Sequence, residues 1–258
     1  MGKIIAISNQ KGGVGKTTTT INLAASLALK KLSVLVIDID PQANATIGLG
    51  LSRELIDKTS FDLLASDVKV SDVIYRNLDL SFSIIPASNK LASLYVSLEE
   101  KEESNLILYK KLQDIKNEYD YILIDCPPTF GYLTNNALFA SDSILIPVEC
   151  EYFAYDALTQ VVNQINQVQK KKNEYNETLT IEGVLLTKLD NRNLHGYKII
   201  EKVKELFPDK TFRTIINRST HLQEAPMHGQ TILQYAFNSK GGKDYRELAK
   251  EIIENNSK

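Results

Sequence analysis

Hydrophobic and polar positions follow two periods along this chain, and the switches between them mark its elements. Short apolar runs rich in β-branched residues stand at Lys3–Ser8, Ser33–Asp38, Leu80–Pro86, Tyr121–Asp125, Ser143–Val148, Thr180–Thr187 and Thr211–Ile216. Between most of them the apolar residues recur three and four apart, at Lys16–Lys30, Asn105–Glu118, Thr134–Ser141, Tyr155–Lys172, Gly196–Phe207 and Lys243–Glu254. A strand that is apolar at consecutive positions is buried on both faces, which requires a parallel sheet with helices on each side. Strands and helices joined by right-handed crossovers predict an α/β fold: a doubly wound, mainly parallel sheet flanked by helices. Ligands of such sheets sit outside the carboxyl ends of the strands, so functional residues are expected directly after the apolar runs.

The first run meets this expectation at once. It is followed by Asn9-Gln10-Lys11-Gly12-Gly13-Val14-Gly15-Lys16-Thr17-Thr18, which opens a helical segment. Gly12, Gly13 and Gly15 let the backbone curl so that successive N–H groups point inward, a concave anion site at a helix N-terminus. Val14 and Thr18 belong to the same loop, Lys16 supplies a point charge to β/γ phosphates, and the Thr17 hydroxyl suits Mg²⁺. The order strand, glycine loop, Lys-Thr, helix predicts a P-loop NTPase, a nucleotide site with Mg²⁺. Gln10 stands where the usual pattern has glycine, and Lys11 adds a second cation inside the loop.

Acidic residues close two further runs. Asp38 and Asp40 in Val36-Ile37-Asp38-Ile39-Asp40-Pro41-Gln42 share one side of their strand. Two carboxylates beside a triphosphate can hold Mg²⁺ and orient an attacking water. Tyr121-Ile122-Leu123-Ile124-Asp125 ends in Cys126-Pro127-Pro128. A carboxylate at the tip of a buried apolar strand is the arrangement that holds a metal in phosphoryl transfer, which makes Thr17, Asp38 and Asp125 the candidate metal residues.

Length and composition then set limits. The 258 residues contain no linker, repeat or low-complexity segment, so residues 1–258 are read as a single domain. No apolar stretch approaches the roughly 18 residues of a membrane span, and the N-terminal run is too short for a signal peptide. Cys126 and Cys150 are the two cysteines. They can build neither a disulfide framework nor a four-ligand zinc site, so a cytoplasmic location is expected.

Lys11-Gly12-Gly13-Val14-Gly15-Lys16-Thr17-Thr18 resembles the deviant Walker A motif of the ParA/MinD family, which is related to the nitrogenase iron protein. The resemblance runs from Met1 to about Glu254. It points to the ParA/Soj subgroup through Ile4, Ala6, Ser8, Asn9 and Gln10, through Asp40-Pro41-Gln42, and through Leu222, Glu224-Ala225-Pro226 and His228-Gly229. It implies an ATPase that forms an ATP-sandwich homodimer, binds DNA without sequence preference and is released on hydrolysis stimulated by a ParB-type partition protein. It further implies that Lys11 reaches the partner's nucleotide, although a second cation could equally neutralise phosphate within one subunit. Asp40 matches the residue that positions the lytic water in switch I. Asp125–Gly131 resembles switch II, with Gly131 free to move. Asn217 matches a base-contacting position where relatives usually carry proline, and Pro147–Tyr152 falls in a region near the dimer face.

The net charge of −2 argues against a uniformly basic nucleic-acid binder. Resolved along the chain, residues 188–221 carry +4 and the remainder −6. A local positive segment suits sequence-independent phosphate binding, and a dimer doubles it; a solvated helix face around Lys198–Lys204 is the alternative. Arg192 and Arg218 match basic positions of the family, and His221 stands where relatives commonly carry arginine, leaving Lys240 and Lys243 as further candidates. The expected location is therefore the nucleoid. Three rivals share the fold: a MinD-like membrane ATPase, a nitrogenase-like iron–sulfur reductase and a metabolic ATP-dependent ligase such as dethiobiotin synthetase. The first needs an amphipathic terminal helix with a basic flank, yet Tyr245, Leu248, Ala249, Ile252 and Ile253 form a stripe sized for packing on the domain. The second needs bridging cysteines in glycine-rich contexts, which Cys126 does not match. The third would not need Lys11 as a trans lysine.

Overall fold

Seven strands, β1 (Lys3–Ile7), β2 (Val34–Asp38), β3 (Tyr75–Arg76), β4 (Ser83–Ile85), β5 (Tyr121–Asp125), β6 (Ser143–Glu149) and β7 (Thr180–Thr187), form one sheet in the order β3-β4-β2-β5-β1-β6-β7. Every pairing is parallel except the short β3–β4 edge. This computed structural model describes residues 2–52, 56–76, 81–94, 102–151, 154–190 and 194–257.

The consecutive apolar residues of the central strands do face both ways. Ile4 and Ala6 of β1 join Leu35, Ile37, Ile122 and Ile124 in one core layer, whereas Ile5 and Ile7 join Val34, Val36 and Leu123 in the other. The first layer is covered by α5 (Tyr132–Ala140) and α6 (Ala154–Asn173), and the second by α1 (Lys16–Ala28) and the last helix, Lys240–Asn256. Tyr245, Leu248, Ala249 and Ile252 of that last helix are fully buried in the second layer, so its apolar stripe is spent on the domain. Among the described residues no helix is long and apolar enough to cross a membrane.

The remaining helices are short: α2 (Asn44–Gly48), α3 (Ser60–Ala65), α4 (Ile107–Leu112), α8 (Thr220–Glu224) and α9 (Ile232–Ala236), with the longer α7 at Leu194–Leu206. Numbered in chain order, Lys240–Asn256 is α10. The expected helix Asn105–Glu118 is broken into a 3₁₀ turn at Glu102–Leu106, α4 and another 3₁₀ turn at Lys116–Glu118. Leu80, placed in the third apolar run, lies outside the described residues, and β4 covers Ser83–Ile85.

The expected strand Thr211–Ile216 does not form, although its ends do pair. Thr211 bridges Val184 and Asn217 bridges Leu189. Between them the backbone N–H groups of Arg213 and Thr214 turn to the Glu251 carboxylate, at 2.7 and 2.9 Å, and the Thr214 hydroxyl adds a bond of 2.8 Å. One helix side chain thus takes up the N–H groups of Arg213 and Thr214, while those of Phe212 and Ile216 still donate to Val184 and Leu186. Burial alone would push the Glu251 carboxyl up, but the bonds from Arg213 and Thr214 outweigh it and hold it below the ordinary 4.5. A depressed carboxyl contributes stability that is present above the unfolded value and lost as pH falls through the folded one. Glu251→Ala is therefore expected to lower the unfolding free energy by about 2–3 kcal/mol near neutral pH. Urea unfolding of both proteins across a pH series checks this, and the gap between them should close as pH falls below 4.5.

Candidate active site

The glycine loop leaves β1 at the centre of the sheet, where the strand order reverses direction. Gly13 and Gly15 adopt φ of +75° and +92°, the left-handed region that a side chain resists. Gly15 caps α1 without any side-chain bond, so the first N–H groups of the helix are left for a ligand. Asn9 shapes the loop start: its Oδ1 accepts from Lys11 N–H at 3.0 Å, and its Nδ2 donates to the Pro147 carbonyl at 2.7 Å. The Lys16 side chain folds back over the loop and donates to the Lys11 carbonyl at 3.1 Å. Burial holds its ammonium below the ordinary lysine value, with Asp125 and Asp40 pulling the other way.

Asp125 and Asp38 are register partners at the ends of β5 and β2, and both are fully buried. Burial, and then their mutual repulsion, pushes the Asp125 carboxyl well above the usual range; burial raises Asp38 as well. Their surroundings separate them. Asp125 accepts from the Thr17 hydroxyl at 2.8 Å and from the Thr20 hydroxyl at 3.0 Å, which docks the start of α1 onto the tip of β5. Asp38 is turned to its own loop: Oδ1 accepts from Asp40 N–H, and Oδ2 accepts from the N–H and hydroxyl of Thr46, at 2.9 and 2.8 Å. Asp38 thus holds the loop that carries Asp40, whereas Asp125 is bonded to Thr17 at the start of α1. Asp40 is nearly buried and accepts from Gln42 N–H at 2.9 Å.

A cleft of 590 Å³ opens over the loop, lined among others by Gly12, Gly13, Lys16 and Thr17, by Asp40, and by Pro226, Met227 and Gln230. Among the described residues no group of three or more His, Cys, Asp or Glu could hold a metal alone. A hydroxyl and a carboxylate are a hard oxygen pair. They suit a cation that takes its other ligands from phosphate and water, as Mg²⁺ does. Cys126 and Cys150 are buried and free, and burial pushes both thiols up, Cys150 to about 12. Neither is a nucleophile here.

A family model described as an AAA domain matches residues 2–181. Over 255 residues the chain is 48% identical to the sporulation initiation inhibitor protein Soj of Bacillus subtilis, covering 99% of this chain and 100% of that one. It is 42% identical to the chromosome-partitioning ATPase Soj of Treponema pallidum, covering 98% of each. The chain belongs to the ParA/Soj family of partition ATPases. Its fold is also that of the cobyrinic acid a,c-diamide synthase of Mycobacterium smegmatis, solved with a bound ATP analog and magnesium, at a TM-score of 0.85 and 28% identity. That likeness covers 100% of this chain and 96% of the synthase.

Within this partition-ATPase fold the second lysine of the loop is already engaged. Lys11 Nζ lies 3.2 Å from Glu151 and 3.7 Å from Glu149, and Glu149 also pairs with Lys188 at 3.3 Å. Lys188 and Ala43, on either side of the site, are held at positive φ without being glycine. Asn217 lies beside the loop and is anchored to Asp244. Of the candidate DNA residues, Arg218, His221, Lys240 and Lys243 are exposed, and Arg192 lies outside the described residues. Leu222 packs against Gly241, which brings the starts of α8 and α10 together. Arg213, counted in the +4 segment, is instead committed to Glu251 and Glu254.

Thr46 carries no spacing signal in the sequence, yet its hydroxyl donates to Asp38 and accepts from Ala87 N–H at 2.9 Å. Thr46→Val is expected to cost about 1–3 kcal/mol in urea unfolding, because a buried carboxylate oxygen and a buried N–H lose their shared partner. Hydrogen exchange at the Ala87 amide should quicken in the variant.

Proposed function

We propose that this partition ATPase binds ATP and Mg²⁺ in the loop cleft, closes with a second copy into an ATP-sandwich dimer, and grips DNA without sequence preference. ATP hydrolysis, stimulated by a ParB-type partner, then releases the DNA, so the protein works on the nucleoid in chromosome or plasmid segregation. The observation that carries the reading is the convergence of Lys16, Thr17 and Asp40 on one cleft at the glycine loop, with Asp125 bonded behind Thr17.

Each residue has a task that its setting allows. The loop N–H groups and Lys16 hold the β/γ phosphates, the lysine exchanging its bond to the Lys11 carbonyl for phosphate oxygen. Thr17 and Asp125 would hold Mg²⁺, which when bound neutralises charge on the phosphates. Asp40 keeps one oxygen on Gln42 N–H and offers the other to the attacking water. Water oxygen then bonds to the γ-phosphorus as the bond to the β-phosphate oxygen breaks, giving ADP and inorganic phosphate. Lys11 is freed for a partner's nucleotide when its pairing with Glu149 and Glu151 opens.

The relatives at 42–48% identity bear names of partition and sporulation control, whereas the metabolic synthase is 28% identical, which supports partition over ligase chemistry. The buried stripe of α10 supports DNA over a bilayer as the surface bound.

Lys16→Ala is expected to abolish ATP-dependent dimer formation, and Asp40→Ala to trap an ATP-bound dimer with turnover reduced by about 10²-fold or more. Light scattering with size exclusion, alongside phosphate release, checks both; normal turnover by Asp40→Ala removes that residue from the mechanism. DNA binding measured with ATP, with ADP and without nucleotide should be strong only with ATP. Arg192→Ala combined with Arg218→Ala should weaken it and flatten its salt dependence while dimerisation persists. Equal DNA affinity of wild type and double variant across the salt series rejects this surface.

A further inference from the structure

Beside the phosphate loop a second, smaller cavity opens, bordered by Gly15 and Thr18, by Thr187 and Lys188 at the end of β7, and by Asn217 and Tyr245. A base attached to a phosphate held by the loop has this cavity as its neighbour. Asn217 and Gln223 are the amide side chains that border it, and hydrogen bonds within the protein fix the orientation of Asn217. Its backbone N–H and its Nδ2 both donate to Oδ2 of Asp244, at 2.9 and 3.0 Å. Nδ2 also donates to the Ile215 carbonyl at 3.3 Å.

A carboxylate and a carbonyl accept hydrogen bonds and cannot donate them. Both protons of the Asn217 amide are therefore consumed on the protein side, and the amide cannot flip without setting oxygen against oxygen. What Asn217 has left to offer is Oδ1, an acceptor only. Such a group pairs with the N–H of a 6-amino purine and opposes the oxygen of a 6-oxo purine.

We infer that Asp244, at the start of the second turn of α10, is a positioning residue that sets base choice by locking Asn217 as an acceptor. The inference rests on the nucleotide reading proposed above and adds to it the residue that makes adenine the preferred base. Asp244 touches no nucleotide itself. Because both of its bonds to Asn217 end on the same oxygen, a single carbonyl oxygen in that place performs the same task.

Equilibrium binding of ATP and of inosine triphosphate, which carries oxygen in place of the 6-amino group, tests this on the full chain. Wild type should prefer ATP by about tenfold or more. Asp244→Ala should bring the two affinities within about threefold, chiefly by weakening ATP, and Asp244→Asn should restore the wild-type preference. Asn217→Ala removes the acceptor directly and should match Asp244→Ala, which keeps the test decisive if the latter folds poorly. An unchanged preference in Asp244→Ala or Asn217→Ala overturns the inference, as does a loss in Asp244→Asn equal to that in Asp244→Ala. Wild type that binds both nucleotides equally overturns base selection alone, leaving the nucleotide site standing. Wild type that binds neither overturns the nucleotide reading itself, and base selection with it.

Discussion

A carboxylate buried at the tip of a wholly apolar strand is the constraint around which this molecule is arranged. Asp125 has no exposure; burial and the neighbouring Asp38 favour its neutral form, and only hydrogen bonds and an opposite charge work in favour of the ionised one. Thr17 and Thr20, one turn apart on α1, supply the bonds, and Lys16 supplies the charge. The same contacts fix the start of α1 against the sheet, so the glycine loop ahead of it has its two ends pinned. Phosphate-loop shape and strand-tip chemistry are thereby one problem with one solution. The neighbouring carboxylate cannot share that solution, because parallel pairing sets Asp38 directly beside Asp125. It is drawn off by Thr46, and that diversion is what carries Asp40 to the cleft wall.

Charge is handled by the same logic of local pairing. Glu149 gathers Lys11 and Lys188, one from the loop and one from the end of β7, while Glu251 and Glu254 take up Arg213. Cations that look equivalent in a count along the chain are therefore not equivalent: Lys11, Lys188 and Arg213 are held by acidic partners, whereas Arg218, Lys240 and Lys243 are exposed near the joined starts of α8 and α10.

Much of this was legible in the residues. Strands buried on both faces announce themselves as unbroken apolar runs, and the loop Lys11–Thr18 declares its chemistry through glycine spacing and Lys-Thr. The central strands and the long helices accordingly stand within a few residues of where periodicity puts them. What was not legible depends on partners distant in the chain. Thr211–Ile216 has strand composition, but Glu251 is dozens of residues away and nothing local signals that its carboxylate will take up the N–H groups of Arg213 and Thr214. Thr46 and Asp244 are likewise ordinary polar residues until the fold brings Asp38 and Asn217 to them. The short helices after Asp40 and after Arg218 are too brief for any period to show.

The part of the cleft lined by Pro226 and Met227 rests on another such long-range meeting. Gly50 follows α2 at φ +71° and Gly229 closes the Pro226–His228 turn at φ +65°, and a Cβ on Gly229 would lie 2.7 Å from the Gly50 backbone. Neither glycine can acquire a side chain without moving the other's main chain. The two segments therefore meet main chain against main chain, so a side chain gained on either one cannot be absorbed by rearranging a side chain on the other.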